Sequence, residues 1–394
     1  MKKNIGFFIP ITLGLLTAFG PFITDFYLPA MPTMSESFRT SPSLIALSLT
    51  MGMIGLAAGQ IFIGPLSDKF GRKKLLIFSM LLFSIASVLC IFSFNIYLFN
   101  LMRLFQGIGG AGGIVLSKSI STDMFYGIDL QRFLGLLGAI NGIAPVTAPV
   151  IGGVIINFVS WRGIFCILLA IGIILMVCSC FLRESLPENQ RSKGNIANAY
   201  INLFKVFRTP RFVLSMLAEM ASFLTFFGYI ASSPFILQKV YGLSPLMYSL
   251  CFALIAFTIG IGSLLGARFK YQNTALKTAA IHIFLGSIAS ASCLILQAPL
   301  FLLLSGYIWM CIGFGIMQPA ATALAMEAER TRAGAASAIF GASGFVSGAI
   351  ASPLVSMGNI SITSSAVMVV GAVICLFLTL ILCQEIKTEA LAEE

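Results

Sequence analysis

Residues 64–74 read Gly64-Pro65-Leu66-Ser67-Asp68-Lys69-Phe70-Gly71-Arg72-Lys73-Lys74 and link two apolar runs, at 43–66 and 74–93. Each run approaches the roughly 20 apolar residues that a helix needs to cross a bilayer. Two such runs joined by so short a link make a hairpin through the membrane. Within the link, Gly64 allows close helix contact and Gly71 permits a tight turn. Asp68 can meet a helix N-terminus, and the bases anchor at the inner surface. A plain basic loop is the simpler reading. Two glycines, one acid and four bases at these offsets favour a built element.

The rest of the chain has the same character. Of its 394 residues 58% are hydrophobic and 10% charged, against about 25% charged in soluble proteins. Mean hydropathy is +0.99. A soluble enzyme and a disordered chain are both excluded. The 37 glycines and 35 phenylalanines suit helices packed closely in lipid. The net charge of +10 does not mark a nucleic-acid binder, because the bases lie between apolar runs and form no stripe or tail. The nine cysteines all fall in apolar runs without metal-ligand spacing, and read as small hydrophobes with no disulfide. The single histidine, His282, excludes a His-rich metal site and reads as interfacial.

Twelve spans are expected, at about 6–30, 43–66, 74–93, 95–117, 133–157, 162–182, 211–238, 244–267, 277–297, 300–325, 333–357 and 361–383. The first follows Met1-Lys2-Lys3 like a signal peptide, but it is long and lacks a clear cleavage site, so it counts as a span. With the N-terminus inside, 20 of the 24 basic residues fall in cytoplasmic segments. Only Arg39, Arg162 and Lys239 fall outside, and Arg103 lies within a span. Both termini are therefore expected in the cytoplasm. The longest polar stretch, 183–210, divides the chain into a six-helix bundle at 1–182 and a second bundle with a short tail at 211–394. Two related bundles around a midplane site are a transporter layout. An internal repeat is faint: Gly64-Pro65-Leu66-Ser67-Asp68 has a worn counterpart in Gly262-Ser263-Leu264-Leu265-Gly266 with Arg268.

Three ionisable residues lie inside spans: Asp25, Arg103 and Glu219. Each costs several kcal/mol in lipid, so a functional role is the default. At about 1.5 Å per residue, Arg103 sits about 12 Å deep and Asp25 about 6–10 Å below the outer edge. The two are opposite in charge at similar depth, fit for proton coupling or for a fixed ion pair. Glu219 either lines a cavity or snorkels to the inner interface. Ser222, Phe223 and Phe226 share its helix face, and an acid beside aromatic rings suits a cationic amphipathic compound. Phenylalanines facing lipid would read the same way. Gly107-Ile108-Gly109-Gly110-Ala111-Gly112 matches a dinucleotide-binding pattern, but no strand precedes it, so it reads as small-residue packing.

The 64–74 link resembles the signature of the major facilitator superfamily. Phe99 to Gly113, with Arg103, Gln106 and Gly107, resembles its fourth-span motif. Ala144-Pro145-Val146-Thr147-Ala148-Pro149-Val150-Ile151-Gly152-Gly153 resembles the fifth-span motif of its proton-coupled antiporters, with Ala148 in place of the usual glycine before proline. Asp25-Phe26-Tyr27-Leu28-Pro29-Ala30-Met31-Pro32 is similar to the first span of the bicyclomycin/chloramphenicol-resistance branch. The resemblance implies twelve helices in two rocking bundles, with spans one, four, seven and ten lining a cavity. Tyr27 and Gln106, on spans one and four, and Ser222, Phe223 and Phe226, on the Glu219 face of span seven, are then expected at that cavity, and the resemblance puts Gly64, Asp68, Gly71, Arg72 and Asp123 in a cytoplasmic gate. Asp68 would face span eleven and Arg72 would pair with Asp123. Asp123 lies 20 residues beyond Arg103, about 30 Å along a helix, so the spacing permits that pair. A solvated Asp123 is the bland alternative.

The resulting expectation is a monomeric, proton-coupled exporter of small amphipathic drugs in a bacterial inner membrane, without cofactor. Export of an endogenous metabolite or siderophore is one alternative. A facilitator or importer of an osmolyte or sugar is a second, and a non-transporting membrane sensor a third. The 11 residues after Cys383 hold no soluble domain to support the last.

Overall fold

A computed structural model describes residues 8–192 and 195–393. Its helices are α1 (Phe8–Thr17), α2 (Phe19–Thr24), α3 (Met31–Ser37), α4 (Pro42–Phe70), α5 (Arg72–Ile91), α6 (Ile96–Met124), α7 (Gly127–Ile155) and α8 (Trp161–Phe181). They continue with α9 (Ile196–Phe204), α10 (Pro210–Phe235), α11 (Pro245–Gly266), α12 (Gln272–Ile295), α13 (Leu300–Ala328), α14 (Ala333–Val355) and α15 (Ile360–Glu393). No strand occurs among the described residues.

Ten of these helices are long and apolar enough to cross a bilayer, and the bent pair Phe8–Thr17 and Phe19–Ser37 supplies another. Helix α6, with 29 residues, is long enough to cross but is not apolar enough to count with them. Its glycines, serines, Arg103 and Gln106 make it less apolar than the rest, because other helices surround it instead of lipid. Several helices overrun the expected spans. Thus α4 reaches Phe70, α6 reaches Met124 and α7 begins at Gly127. Polar turns of these helices project beyond the apolar stretch.

Span one is not the continuous helix expected over 6–30. It bends by 47° between α1 and the segment from Phe19. Pro21 has no N–H to give, and its ring crowds the carbonyl four residues back, at Thr17, where α1 ends.

The chain divides into two compact units, one up to Tyr200 and one from Ile201. The division falls inside the polar 183–210 stretch. In the first unit α6 is the hub, packed by α4, α5 and span one. In the second, α13 carries α11 and α12, while α10 packs against α14 and α15.

The α4–α6 crossing explains the glycines. A Cβ at Gly55 would collide with the Leu104 carbonyl, and one at Gly107 with the Gly52 carbonyl. Gly64 plays no such part: a Cβ there would meet only Val115, at an ordinary 3.8 Å. The expectation that Gly64 allows close contact is therefore corrected to Gly55 and Gly107. The second unit repeats this crossing, since a Cβ at Gly262 would collide with the Ile312 carbonyl and one at Gly315 with the Ile259 carbonyl. Gly262 thus corresponds to Gly55 and not to Gly64. The repeat is real, and the register inferred from the first loop is nine residues out.

Candidate functional site

In the first unit the bend of span one creates the site. With α2 ending at Thr24, the Ile23 carbonyl accepts from Arg103 Nη2 at 2.7 Å. Arg103 Nη1 donates to Gln106, whose Nε2 donates to Ser87 Oγ at 2.8 Å. The guanidinium lies 4.4 Å over the Tyr27 ring and 5.7 Å from that of Phe165, an arrangement that favours a cation by the ring quadrupole. The Tyr27 hydroxyl pairs with Ser48 Oγ at 3.0 Å. Gly52 leaves room for the cation, since a Cβ there would sit 3.1 Å from Nη2. Arg103 is fully buried.

Asp25 is 5% exposed, and its Oδ1 has no hydrogen-bond partner. No ion pair within 4 Å joins it to Arg103; a backbone carbonyl, an amide and two rings surround the guanidinium instead. The ion-pair alternative is therefore overturned. Tyr27 and Gln106, expected at a cavity, are fully buried struts of the Arg103 network. The fifth-span motif supports the same region. Pro145 and Pro149 lie inside α7, and a Cβ at Gly152 would collide with the Phe26 carbonyl of span one. The Gly153 carbonyl accepts from Asn157 Nδ2 at 2.8 Å.

In the second unit Glu219 is 2% exposed, so it does not snorkel to an interface. The Gln318 side chain of α13 faces its carboxyl, yet Glu219 Oε2 and Gln318 Nε2 each lack a hydrogen-bond partner. The Ser222 hydroxyl donates back to the Glu219 carbonyl at 2.7 Å, so it serves its own helix. Phe226 stacks on Phe314 with centroids 4.3 Å apart, and Phe223 meets the same ring edge-on at 5.1 Å. These phenylalanines build an aromatic wall between α10 and α13 and do not face lipid alone. Tyr229 and Tyr307 continue it, with centroids 4.6 Å apart and both hydroxyls buried without partners. Sequence reading missed Gln318 and the two tyrosines, although a Gln-Pro pair inside span ten was a usable signal.

The 64–74 element forms within the first unit. Arg72 bridges Asp68 and Asp123, the latter at 3.1 Å, as the spacing allowed. Asp123 also accepts from Ser185 Oγ at 2.7 Å. Gly71 has φ +98°, which a side chain resists, and a Cβ would approach Glu184 Oε2 to 2.5 Å. Glu184 accepts from the backbone N–H of Arg72 at 2.9 Å and of Lys73 at 3.3 Å, closing the N-terminus of α5. Arg191 holds Glu184 at 3.7 Å, and Ser192 N donates to the Asp68 carbonyl at 2.9 Å. Glu184, Ser185 and Arg191 were not singled out in the sequence. All nine cysteines are free.

Ten helices, or eleven with the bent pair, that could cross a membrane, together with buried acids in both units, define a polytopic membrane protein. The family model described as Major Facilitator Superfamily matches residues 13–353, and the chain belongs to that superfamily, which makes it a transporter and not an enzyme. It is 34% identical over 92% of each chain to the uncharacterized MFS-type transporter YdgK of Bacillus subtilis. It is 28% identical over 94% of each chain to the bicyclomycin resistance protein homolog of Haemophilus influenzae. Those matches are consistent with the drug:proton antiporter branch. Among solved structures, a bacterial homolog of the human lysosomal transporter Spinster is 16% identical, with TM-score 0.74 and 96% of each chain covered.

Proposed function

We propose that the protein exports small amphipathic compounds in exchange for protons, by alternating access, across a bacterial cytoplasmic membrane with both termini inside. It acts as a monomer and needs no cofactor beyond the proton gradient. The observation that carries this reading is Asp25, buried at the C-terminal end of α2 with an unpartnered oxygen. A buried carboxylate without a partner is costly when charged, so it favours taking a proton or a cationic ligand. Glu219 offers the same chemistry beside an aromatic wall. The likeness to a bicyclomycin resistance protein homolog supports a drug as substrate. Energetically, 100 mV contributes about 2.3 kcal/mol per charge and one pH unit about 1.4 kcal/mol. One proton thus supports a gradient of several hundred-fold. In cells lacking other pumps, expression is expected to lower accumulation of a lipophilic cation, and a protonophore to restore it. Accumulation that ignores the protonophore would exclude proton coupling.

A further inference from the structure

We propose that the second unit carries a binding site for an anionic phospholipid, in the furrow between α11 and α12. These helices each pack along α13 but barely touch one another, which opens the furrow with α13 as its floor. A cavity of about 380 Å³ lies there, with Leu265, Phe269, Ile312 and Ile316 as its apolar lining. Arg268 and Thr278 stand at its mouth, beyond the end of α11 and in the first turns of α12. His282 forms part of the wall, its Nδ1–H donating to the Thr278 carbonyl at 2.8 Å.

Two features identify the occupant. The two helices that border the furrow carry exposed apolar side chains, Phe257 and Leu265 on α11 and Ile281 and Leu285 on α12, with Leu265 in the lining itself. Arg268 is the charged residue of the furrow's lining, and residues 267–278 around it include Arg268, Lys270 and Lys277 and no acid, all three bases being exposed. A free anion gains nothing from the apolar furrow, and a neutral lipid gains nothing from the bases. A molecule with acyl chains below an anionic phosphate uses both, chains along α13 and phosphate at Arg268. The site lies wholly within the second unit and is independent of the transport reading.

Native mass spectrometry of the full-length protein, released from micelles with equal phosphatidylglycerol and phosphatidylcholine, tests this. Phosphatidylglycerol should be retained preferentially. Arg268→Ala should cut that preference about fivefold, the equivalent of about 1 kcal/mol for one base near the headgroups. Arg268→Lys should keep most of it. Leu265→Trp, which fills the furrow and leaves the bases in place, should release the lipid. Equal retention of the two lipids, or a preference that survives Arg268→Ala or Leu265→Trp, would overturn the site. Millimolar inorganic phosphate should leave the lipid bound; displacement would show a phosphate site instead. Protein dimers that Leu265→Trp abolishes would assign the furrow to a second copy and overturn the lipid assignment.

Discussion

Asp25 and Glu219 are buried acids whose free oxygens have no hydrogen-bond partner, and they define the residue scale. Asp25→Asn keeps the volume and removes the titratable group. It should leave the protein inserted but bring substrate accumulation to equilibrium with the medium, while exchange of labelled for unlabelled substrate continues. Uphill transport in the variant would remove Asp25 as the proton carrier. For Glu219, attraction to a cation strengthens as water leaves. Glu219→Gln should therefore weaken resistance to a lipophilic cation by about tenfold, the effect of about 1.4 kcal/mol, and spare a neutral drug of similar size. Parallel loss of both would take Glu219 out of the binding site. Both acids were legible in the sequence because a charge inside an apolar span needs a reason. The partner of Arg103 was not. Counting residues gives depth along a helix but not rotation about it, and the end of α2 at Thr24 leaves free the Ile23 carbonyl that Arg103 uses.

Helix α5 begins at a turn that only glycine accepts readily, under a carboxylate from the polar stretch after α8. Two N–H groups and the positive helix end all converge on Glu184. Glu184→Ala should cost the first unit about 1 kcal/mol, seen as a lower midpoint in thermal unfolding. Glu184→Gln should cost less, because the amide oxygen still accepts. An unchanged midpoint in Glu184→Ala would show that the contact adds no stability. The Arg72–Asp123 pair was readable from the resemblance of the 64–74 link to a known motif, with the 20-residue spacing from Arg103 permitting it. Glu184 was not, since it is 112 residues from Arg72 and nothing local marks it. The glycines of α6 announced close packing, while the partners at Gly52 and Gly55 emerged only from the crossing itself.

As a whole molecule, the chain shows most of its spans in composition, since ten helices, or eleven with the bent pair, are long and apolar enough to cross a bilayer, while the break in the first was not legible. The helix hardest to find by apolarity, α6, is one of those packed against several others in its unit. The repeat of the two units is carried by matched glycine crossings, which tolerate wide divergence elsewhere. That is why it was faint in sequence and was read nine residues out of register. On the proposed reading, coupling of substrate flux to protons is what gives the two buried acids their purpose. The direct measurement is external pH around sealed proteoliposomes, without an imposed gradient, when a lipophilic cationic drug is added. Drug entering should drive protons out and acidify the medium, and vesicles with Asp25→Asn should stay silent. Drug uptake without acidification, or equal acidification by Asp25→Asn, would contradict proton exchange at Asp25.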